Sequence, residues 1–289
     1  MKIKFIILFG FFLSAITFQG QELESSLLWK ISGNGLSSHS YLFGTLHATC
    51  NTKLKPRVLD ALNKTKQLAL EIDLSDTSMQ VKMMQMMYIK DGKAVMDFVN
   101  EEDKQVLYSF LSENIKTINY EMLKRLKPFI LQSMLVPTML DCSLPQAYDM
   151  LLLHQAQLKK LPIIGLETIE DQMAIFDAIP IEEQITDLIK MAKDTNKLYE
   201  RQFDELVKAY EDENLKELEK SFAKDKSLMS NYNFEILDNR NENWIPIIEK
   251  MCQDKPSFIG FGALHLIGEK GVIQLLRTKG YSVEAVMPE

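Results

Sequence analysis

The sequence has few cysteines, few histidines and no excess of positive charge. Three cysteines among 289 residues exclude a disulfide-rich scaffold, because three can form at most one internal bridge. The net charge of −7 argues against a nucleic-acid partner, since proteins that bind DNA or RNA offset the phosphate charge with lysine and arginine. The only four histidines mark the places where imidazole chemistry can occur.

Two common catalytic signatures are also missing. The chain has no Gly-x-Ser-x-Gly sequence, so nucleophilic catalysis by a Ser-His-Asp triad has little support. It has no glycine-rich loop of the kind that holds phosphate groups, so nothing indicates a nucleotide site.

One apolar run stands at the N-terminus, and no other stretch is long and apolar enough to span a membrane. Lys2 and Lys4 precede an apolar segment at 5–16, which predicts a secretory signal peptide over residues 1–20. No clean small-x-small pair precedes Gln21, so an uncleaved N-terminal anchor is the alternative. We expect an exported protein, periplasmic or secreted, with no membrane span after the signal is removed.

The cysteines favour one bridge in this exported chain. Cys50 and Cys142 both lie in loop-like sequence, which favours a disulfide between them. Cys252 lies in a helical pattern, which is typical of a buried thiol.

The phrase Phe-Gly-x-Leu-His occurs twice, at 43–47 and at 261–265. Each copy follows an apolar run that predicts a buried strand, and a glycine three residues before the histidine lets the backbone leave the strand end. His47 and His265 should therefore project from the carboxyl ends of strands, where open α/β sheets bind ligands. Taken alone, either histidine could be a satisfied structural residue.

Apolar periodicity predicts an α/β fold, with a mixed central sheet flanked by helices and a large helical insertion in the middle of the chain. We expect a single domain over 21–289, with the insertion at about 77–230. The predicted strands are 27–31, 40–44, 67–73, 161–167, 258–261 and 281–286, and helices are predicted at 56–65, 146–160, 239–252 and 270–279.

The segment 77–87 is rich in methionine. Thioethers bind Cu(I) in exported proteins, so a copper-transport role is one interpretation. The methionines follow helical spacing and no histidine accompanies them, which favours a flexible apolar helix face instead.

Four chemically useful side chains fall at predicted strand ends: His47, Glu71, Glu167 and His265. Two imidazoles and a carboxylate form a usual ligand set for a divalent metal such as manganese, cobalt or zinc. We predict His47, His265 and Glu71 as metal ligands, since the strand ending at Glu71 should neighbour the strand that delivers His47. Glu167 is predicted as the general base or as a supporting partner, with Gly165 giving its backbone room to approach.

A metal-free arrangement is also open. A histidine held by Glu71 could activate water directly, while the second histidine or Arg240 stabilises the oxyanion. Arg240 in its Arg-Asn pair could instead hold a substrate carboxylate or form a salt bridge. The carboxylates Glu71 and Glu167 could equally cap a helix or pair with an arginine.

Several motifs together resemble the TraB/GumN family, which includes the Tiki proteases. These are the two Gly-x-x-His phrases, Leu-Glu-Ile-Asp at 70–73, Leu-Lys-Pro at 126–128, Ile-Gly-Leu-Glu-Thr at 164–168 with Gln172, Asp-Asn-Arg-Asn at 238–241 with Trp244, and the closing segment from Gly262 to Tyr281. The resemblance runs from about residue 27 to 286. The family is similar to a wider group with erythromycin esterase-like and haem-binding ChaN-like folds.

The resemblance implies an exported metal-dependent hydrolase of the peptidase type, acting on a peptide or protein substrate. His47 and His265 would be metal ligands or catalytic, and Glu71, Glu167, Arg240 and Asn241 would line the site. Tiki proteins carry a membrane anchor, and we expect none at the C-terminus here. The alternatives are a haem- or metal-binding module without catalysis, and an accessory factor for surface polysaccharide or conjugation.

Overall fold

The protein folds around one six-stranded mixed sheet with helices packed against it. The computed structural model describes residues 23–51, 53–224 and 227–288, so the predicted signal peptide lies outside the described residues. The strands are β1 Leu28–Gly33, β2 Ser40–Thr45, β3 Gln67–Leu70, β4 Ile163–Gly165, β5 Ser257–Gly262 and β6 Tyr281–Ala285. They lie in the order β4-β3-β5-β2-β1-β6, and the α/β fold class is confirmed.

The four strands on one side of this sheet run parallel to one another. β3 pairs in parallel with both β4 and β5, and β5 pairs in parallel with β2. β1 is antiparallel to both β2 and β6, so β1 and β2 form a hairpin. Because parallel strands end at the same edge, the residues that follow β2, β3, β4 and β5 all emerge together.

One predicted neighbour relation is wrong. β5 lies between β3 and β2, so the strand that leads to Glu71 neighbours the strand that delivers His265, not the one that delivers His47. The register pairs Leu68 with Phe258 on one side of β5 and Leu42 with Ile259 on the other. Parallel strands are joined by long crossovers, so nearness in sequence does not set their order in the sheet.

The helices match the predicted pattern closely. They are α1 Pro56–Asn63, α2 Thr77–Met86, α3 Glu101–Asn114, α4 Tyr120–Leu123, α5 Pro128–Leu135, α6 Tyr148–Leu158, α7 Ile169–Ala178, α8 Ile181–Ala192, α9 Leu198–Glu211, α10 Leu215–Lys224, α11 Leu228–Asn231, α12 Asn239–Asp254 and α13 Val272–Thr278. Short 3₁₀ helices cover Lys90–Gly92, Val95–Phe98, Val136–Met139 and Ala263–Leu266, and a π-helical turn at Phe234–Asp238 leads into α12.

Two apolar cores hold these elements. The first surrounds the sheet and includes Leu152 of α6, Leu218 of α10 and Trp244 of α12. The second lies among helices α2 to α8 and contains residues such as Leu107 and Leu131. The predicted insertion therefore contributes to both cores, because β4, α6 and α10 from within it pack with the sheet. This arrangement joins the helical segment to the strand edge that carries the candidate site.

The cysteine predictions are confirmed. Cys50 and Cys142 form a disulfide with Cα atoms 5.9 Å apart, and Cys252 is a buried free thiol. In the methionine-rich helix α2, Met79 is buried while Met84 is exposed, as expected for a helix with one packed face. Among the described residues, none of the helices has both the length and the apolar character needed to cross a membrane.

Candidate active site

The predicted site residues meet at the carboxyl edge of the parallel strands. Glu71 is the first residue after β3, His47 lies two residues beyond β2, and Glu167 lies two residues beyond β4. His265 follows β5 within the 3₁₀ helix Ala263–Leu266. The structure thus brings together side chains that are more than two hundred residues apart in the sequence, as the strand-end pattern predicted.

The two histidines converge on one carboxylate oxygen. His47 Nε2 lies 3.8 Å from Glu71 Oε1, and His265 Nε2 lies 4.0 Å from the same atom. The sum of these two distances is an upper limit on the separation of the two nitrogens. This limit is below the roughly 10 Å beyond which one metal ion could not bind both. The expected approach of the two histidines is confirmed.

Gly262, from the second histidine phrase, borders the space between these groups. Its backbone N–H donates a hydrogen bond of 2.8 Å to Glu71 Oε1. A Cβ atom built at this position would lie 3.4 Å from both Glu71 Oε1 and His47 Nε2. The glycine therefore leaves open a small space that faces one acceptor atom of His47 and one of Glu71.

Arg240, at the start of α12, is the centre of the buried charge network. Its Nη2 donates to Glu71 Oε2 at 2.5 Å and to Glu167 Oε1 at 2.6 Å. Its Nη1 donates to His265 Nε2 at 3.2 Å and to the carbonyl of Ile236 at 3.1 Å. Its Nε donates to Glu167. All five N–H groups of the guanidinium are thereby used, which supports the salt-bridge interpretation of this arginine.

The two glutamates differ in how fully their carboxylate oxygens are hydrogen-bonded. Glu167 accepts hydrogen bonds from Arg240, from Trp244 Nε1 at 3.1 Å and from Gln172 Nε2 at 3.2 Å. Burial raises the pKa of Glu167 despite the nearby charge of Arg240. Gly165 allows the close backbone approach that the sequence predicted, since a Cβ atom at this position would lie 2.8 Å from the Glu167 carbonyl oxygen. These contacts favour Glu167 as a supporting partner that holds Arg240.

Glu71 stays an ionised carboxylate. Burial alone would raise the pKa of Glu71, but the charge of Arg240 and the nearby imidazoles hold it well below its usual range. Arg240 and Gln172 donate to its Oε2 atom, whereas Oε1 accepts from the Gly262 N–H and lies near both histidines.

His265 is a neutral histidine with a defined tautomer. Asn241 Nδ2 donates to the Lys270 carbonyl at 2.9 Å, so Asn241 Oδ1 accepts from His265 Nδ1 at 2.6 Å. The Nε2 atom is then an acceptor and receives the hydrogen bond from Arg240. Burial lowers the pKa of His265 to about 3. The predicted site residue Asn241 therefore lies at the site and orients His265.

His47 is paired with Asp149, a residue that the sequence analysis missed. The Nδ1 atom of His47 lies 2.9 Å from Asp149 Oδ2, and Thr45 Oγ1 donates to Asp149 Oδ1 at 3.0 Å. The charge of Asp149 raises the pKa of His47, although solvent around this 65% exposed side chain screens the attraction. An acid in the first turn of a predicted helix is common, because the helix dipole favours it, so the sequence offered no signal for this role.

The predicted ligand set does not fit a metal ion in this arrangement. Within the part of the chain that the structure describes, no group of three or more His, Cys, Asp or Glu side chains could hold one. The guanidinium of Arg240 bonds to two of the predicted ligands, His265 and Glu71, and a cation would be repelled there. Manganese, cobalt or zinc at His47, His265 and Glu71 stays a prediction.

Comparison with known proteins gives one family. The sequence model of the TraB/PrgY/gumN family matches residues 27–285, which is nearly the whole chain. No curated protein and no solved structure matches the chain.

Proposed function

The chain belongs to the TraB/PrgY/gumN family, and we propose that it is a hydrolase in which His47 is the general base that activates a water molecule. The observation that carries the proposal is the 3.8 Å gap between His47 Nε2 and Glu71 Oε1, beside a glycine with no side chain to fill it. Nδ1 of His47 faces the carboxylate of Asp149 and must donate to it. In the neutral form of the ring, Nε2 is then free to accept a proton.

The chemistry follows from two acceptors that face one space. A water molecule there donates one hydrogen bond to His47 Nε2 and the other to Glu71 Oε1. As its oxygen forms a bond to a substrate carbonyl carbon, His47 takes the first proton and the carbonyl π electrons move to oxygen. When the tetrahedral intermediate collapses, the bond to the leaving nitrogen breaks and protonated His47 returns the proton to it. The products are a carboxylic acid and an amine.

The buried residues hold this pair in place. Arg240 has no spare N–H, so its contribution to an oxyanion acts through its positive charge, and its hydrogen bonds fix Glu71 and His265. His265 donates its Nδ1–H to Asn241 and has no N–H to offer a substrate. Of the two oxyanion candidates, the arginine is therefore the better supported.

A peptide or protein substrate and an exported location complete the proposal. The resemblance to Tiki proteases supports the peptide substrate. The Cys50–Cys142 disulfide supports an oxidising compartment, the periplasm or the exterior. Haem ligation by His265 has less support, because both ring nitrogens of this buried histidine already have hydrogen-bond partners.

The first test compares His47→Gln with His154→Gln, an exposed histidine of α6. We expect His47→Gln to lower the hydrolysis of a peptide library by roughly a hundred- to ten-thousand-fold, as for the loss of a general base. We expect His154→Gln to keep parental turnover. Full activity in His47→Gln would contradict the proposal.

The second test addresses the metal prediction. The parent protein is assayed after chelation, and again with manganese, cobalt or zinc added, while bound metal is measured directly. Turnover that survives chelation supports the metal-free water activation. If chelation abolishes turnover and one of these ions restores it with stoichiometric binding, the metal-ligand set is supported and His47 is not the base.

The proposed location is tested separately. Fractionation of cells that produce the full chain, followed by N-terminal sequencing, should find the protein in the soluble exported fraction without residues 1–20. Intact Met1 in a membrane pellet would show that the segment is a retained anchor.

A further inference from the structure

We infer that Asp149 is a positioning residue that sets the tautomer and direction of the His47 ring, and that the Cys50–Cys142 disulfide keeps these two residues together. The inference rests on the proposed general-base role of His47 and deepens it. The two residues come from different segments, the loop after β2 and the first turn of α6, which are 102 positions apart. Their pairing is therefore a product of the tertiary structure.

Both oxygens of Asp149 have defined partners. Oδ1 accepts from the Thr45 hydroxyl at 3.0 Å, and Oδ2 faces His47 Nδ1 at 2.9 Å. The Asp149 side chain is nearly buried, whereas the His47 side chain is 65% exposed. The acid is thus the enclosed partner of the pair and the histidine is the solvent-exposed one. The start of α6 also favours a negative charge at this position.

This contact decides which nitrogen of His47 can act as a base. A carboxylate only accepts hydrogen bonds, so it selects the tautomer with the proton on Nδ1 and the lone pair on Nε2. It also limits rotation of the ring, which directs Nε2 at Glu71 Oε1. Without Asp149, Nδ1 would face solvent and the exposed ring would exchange between tautomers and rotamers.

The two segments are fastened to each other over a short stretch. Thr49 and Gln146 exchange two backbone hydrogen bonds of 2.8 Å, and Tyr148 N donates to the Leu46 carbonyl at 3.1 Å. The disulfide between Cys50 and Cys142 closes the outer end of this pairing. The loop that carries His47 and the helix start that carries Asp149 are therefore held as one unit. A covalent bond at this place maintains the alignment of the pair.

The experiment observes the His47 ring directly, so it does not depend on hydrolysis. Long-range ¹H–¹⁵N spectra of the labelled full chain, recorded at alkaline pH where the ring is neutral, report the tautomer from the ¹⁵N shifts. The His47 signal is assigned by its loss in His47→Gln. We expect the Nδ1–H tautomer in the parent, and a shift toward the Nε2–H tautomer in Asp149→Asn and in Asp149→Ala.

The kinetic expectation separates positioning from a purely structural role. Asp149→Asn should lower kcat by roughly a hundredfold with little change in KM, because it affects the base and leaves the substrate contacts in place. Asp149→Glu keeps the charge and should recover part of the Nδ1–H signal and part of kcat. Asp103→Asn is the matched control, since Asp103 is also a nearly buried acid in the first turn of a helix, α3. It should leave both readouts at parental values.

The disulfide is tested with the double variant Cys50→Ala/Cys142→Ala. We expect a mixture of His47 tautomers and a several-fold lower kcat in a chain that remains folded by circular dichroism. Parental tautomer and kcat in the double variant would overturn the fastening role. An unchanged His47 tautomer in both Asp149→Asn and Asp149→Ala would overturn the role of Asp149. Full activity in His47→Gln, by contrast, would refute only the proposed function.

Discussion

Alanine substitution should have different effects at the two glycines of the repeated phrase: Gly262→Ala should lower turnover, and Gly44→Ala should lower stability. At Gly262, the added methyl group would lie 3.4 Å from Glu71 Oε1 and His47 Nε2, and 3.7 Å from His265 Cδ2. These are tight to ordinary contacts, and the backbone is not in the left-handed region. We therefore expect Gly262→Ala to change the free energy of unfolding by no more than about 1 kcal/mol.

The same substitution should remove turnover. The methyl group occupies the open space beside the two acceptor atoms, where the proposed water is held. Without a positioned water, the contribution of the general base is lost, so we expect kcat to fall by roughly a hundredfold or more. The backbone N–H of residue 262 is retained, so its hydrogen bond to Glu71 should persist.

Gly44→Ala is the matched control from the first copy of the phrase. A Cβ at Gly44 would lie 2.7 Å from Leu266 Cδ1 and 3.0 Å from Ala263 Cα. The methyl group has no room in this packed position, and overpacking of this kind typically costs about 1–3 kcal/mol. We expect a lower thermal midpoint for Gly44→Ala, with turnover per folded molecule changed less than in Gly262→Ala.

The assays are thermal or denaturant unfolding and steady-state hydrolysis, measured on the parent and both variants. Parental kcat in a folded Gly262→Ala protein would show that the reactive water does not lie in this space. A strong loss of stability in Gly262→Ala would show that the space is a packing contact. Either result would refute the assignment of the gap as the water site.

Three further predictions concern stability. Arg240→Ala leaves two buried carboxylates without their cation. We expect the free energy of unfolding, measured by urea titration, to fall by about 3–5 kcal/mol. A smaller loss would mean that water or structural relaxation compensates the two charges. Burial lowers the pKa of His265 from 6.5 to about 3 in the folded state, so the unfolded chain binds its proton first as the pH falls. The neutral His265 therefore contributes its full stabilisation above pH 6.5, and this contribution is lost as the pH falls toward 3. In urea titrations, the free energy of unfolding should decline less steeply over this pH window in His265→Asn than in the parent. Cys50→Ala/Cys142→Ala removes a cross-link between residues 92 positions apart, which should cost about 4.6 kcal/mol by chain entropy and lower the thermal midpoint. An unchanged midpoint would contradict this prediction.

Several features of the candidate site could be predicted because local patterns carry them. The strands that end near Gly44 and Gly262, the histidines that follow them, and the carboxylate after β3 are visible as apolar runs followed by glycine or polar residues. Parallel strands end at one edge, so the convergence of His47 and His265 followed from these local assignments. Their chemical partners did not follow, since a pattern of burial does not identify which side chains bond to each other.

The sequence by itself determined the α/β class, the positions of the strands and the helical middle segment, because apolar periodicity and turn residues act over a few neighbouring positions. It favoured the cysteine pair, which the structure then showed. Only the tertiary structure decided that β5 separates β3 from β2, and that Arg240 bonds to both glutamates and to His265. It alone placed Asp149 against His47. These relations join segments that are distant in the chain, and they depend on long-range strand pairing and on the need of each buried charge for a partner.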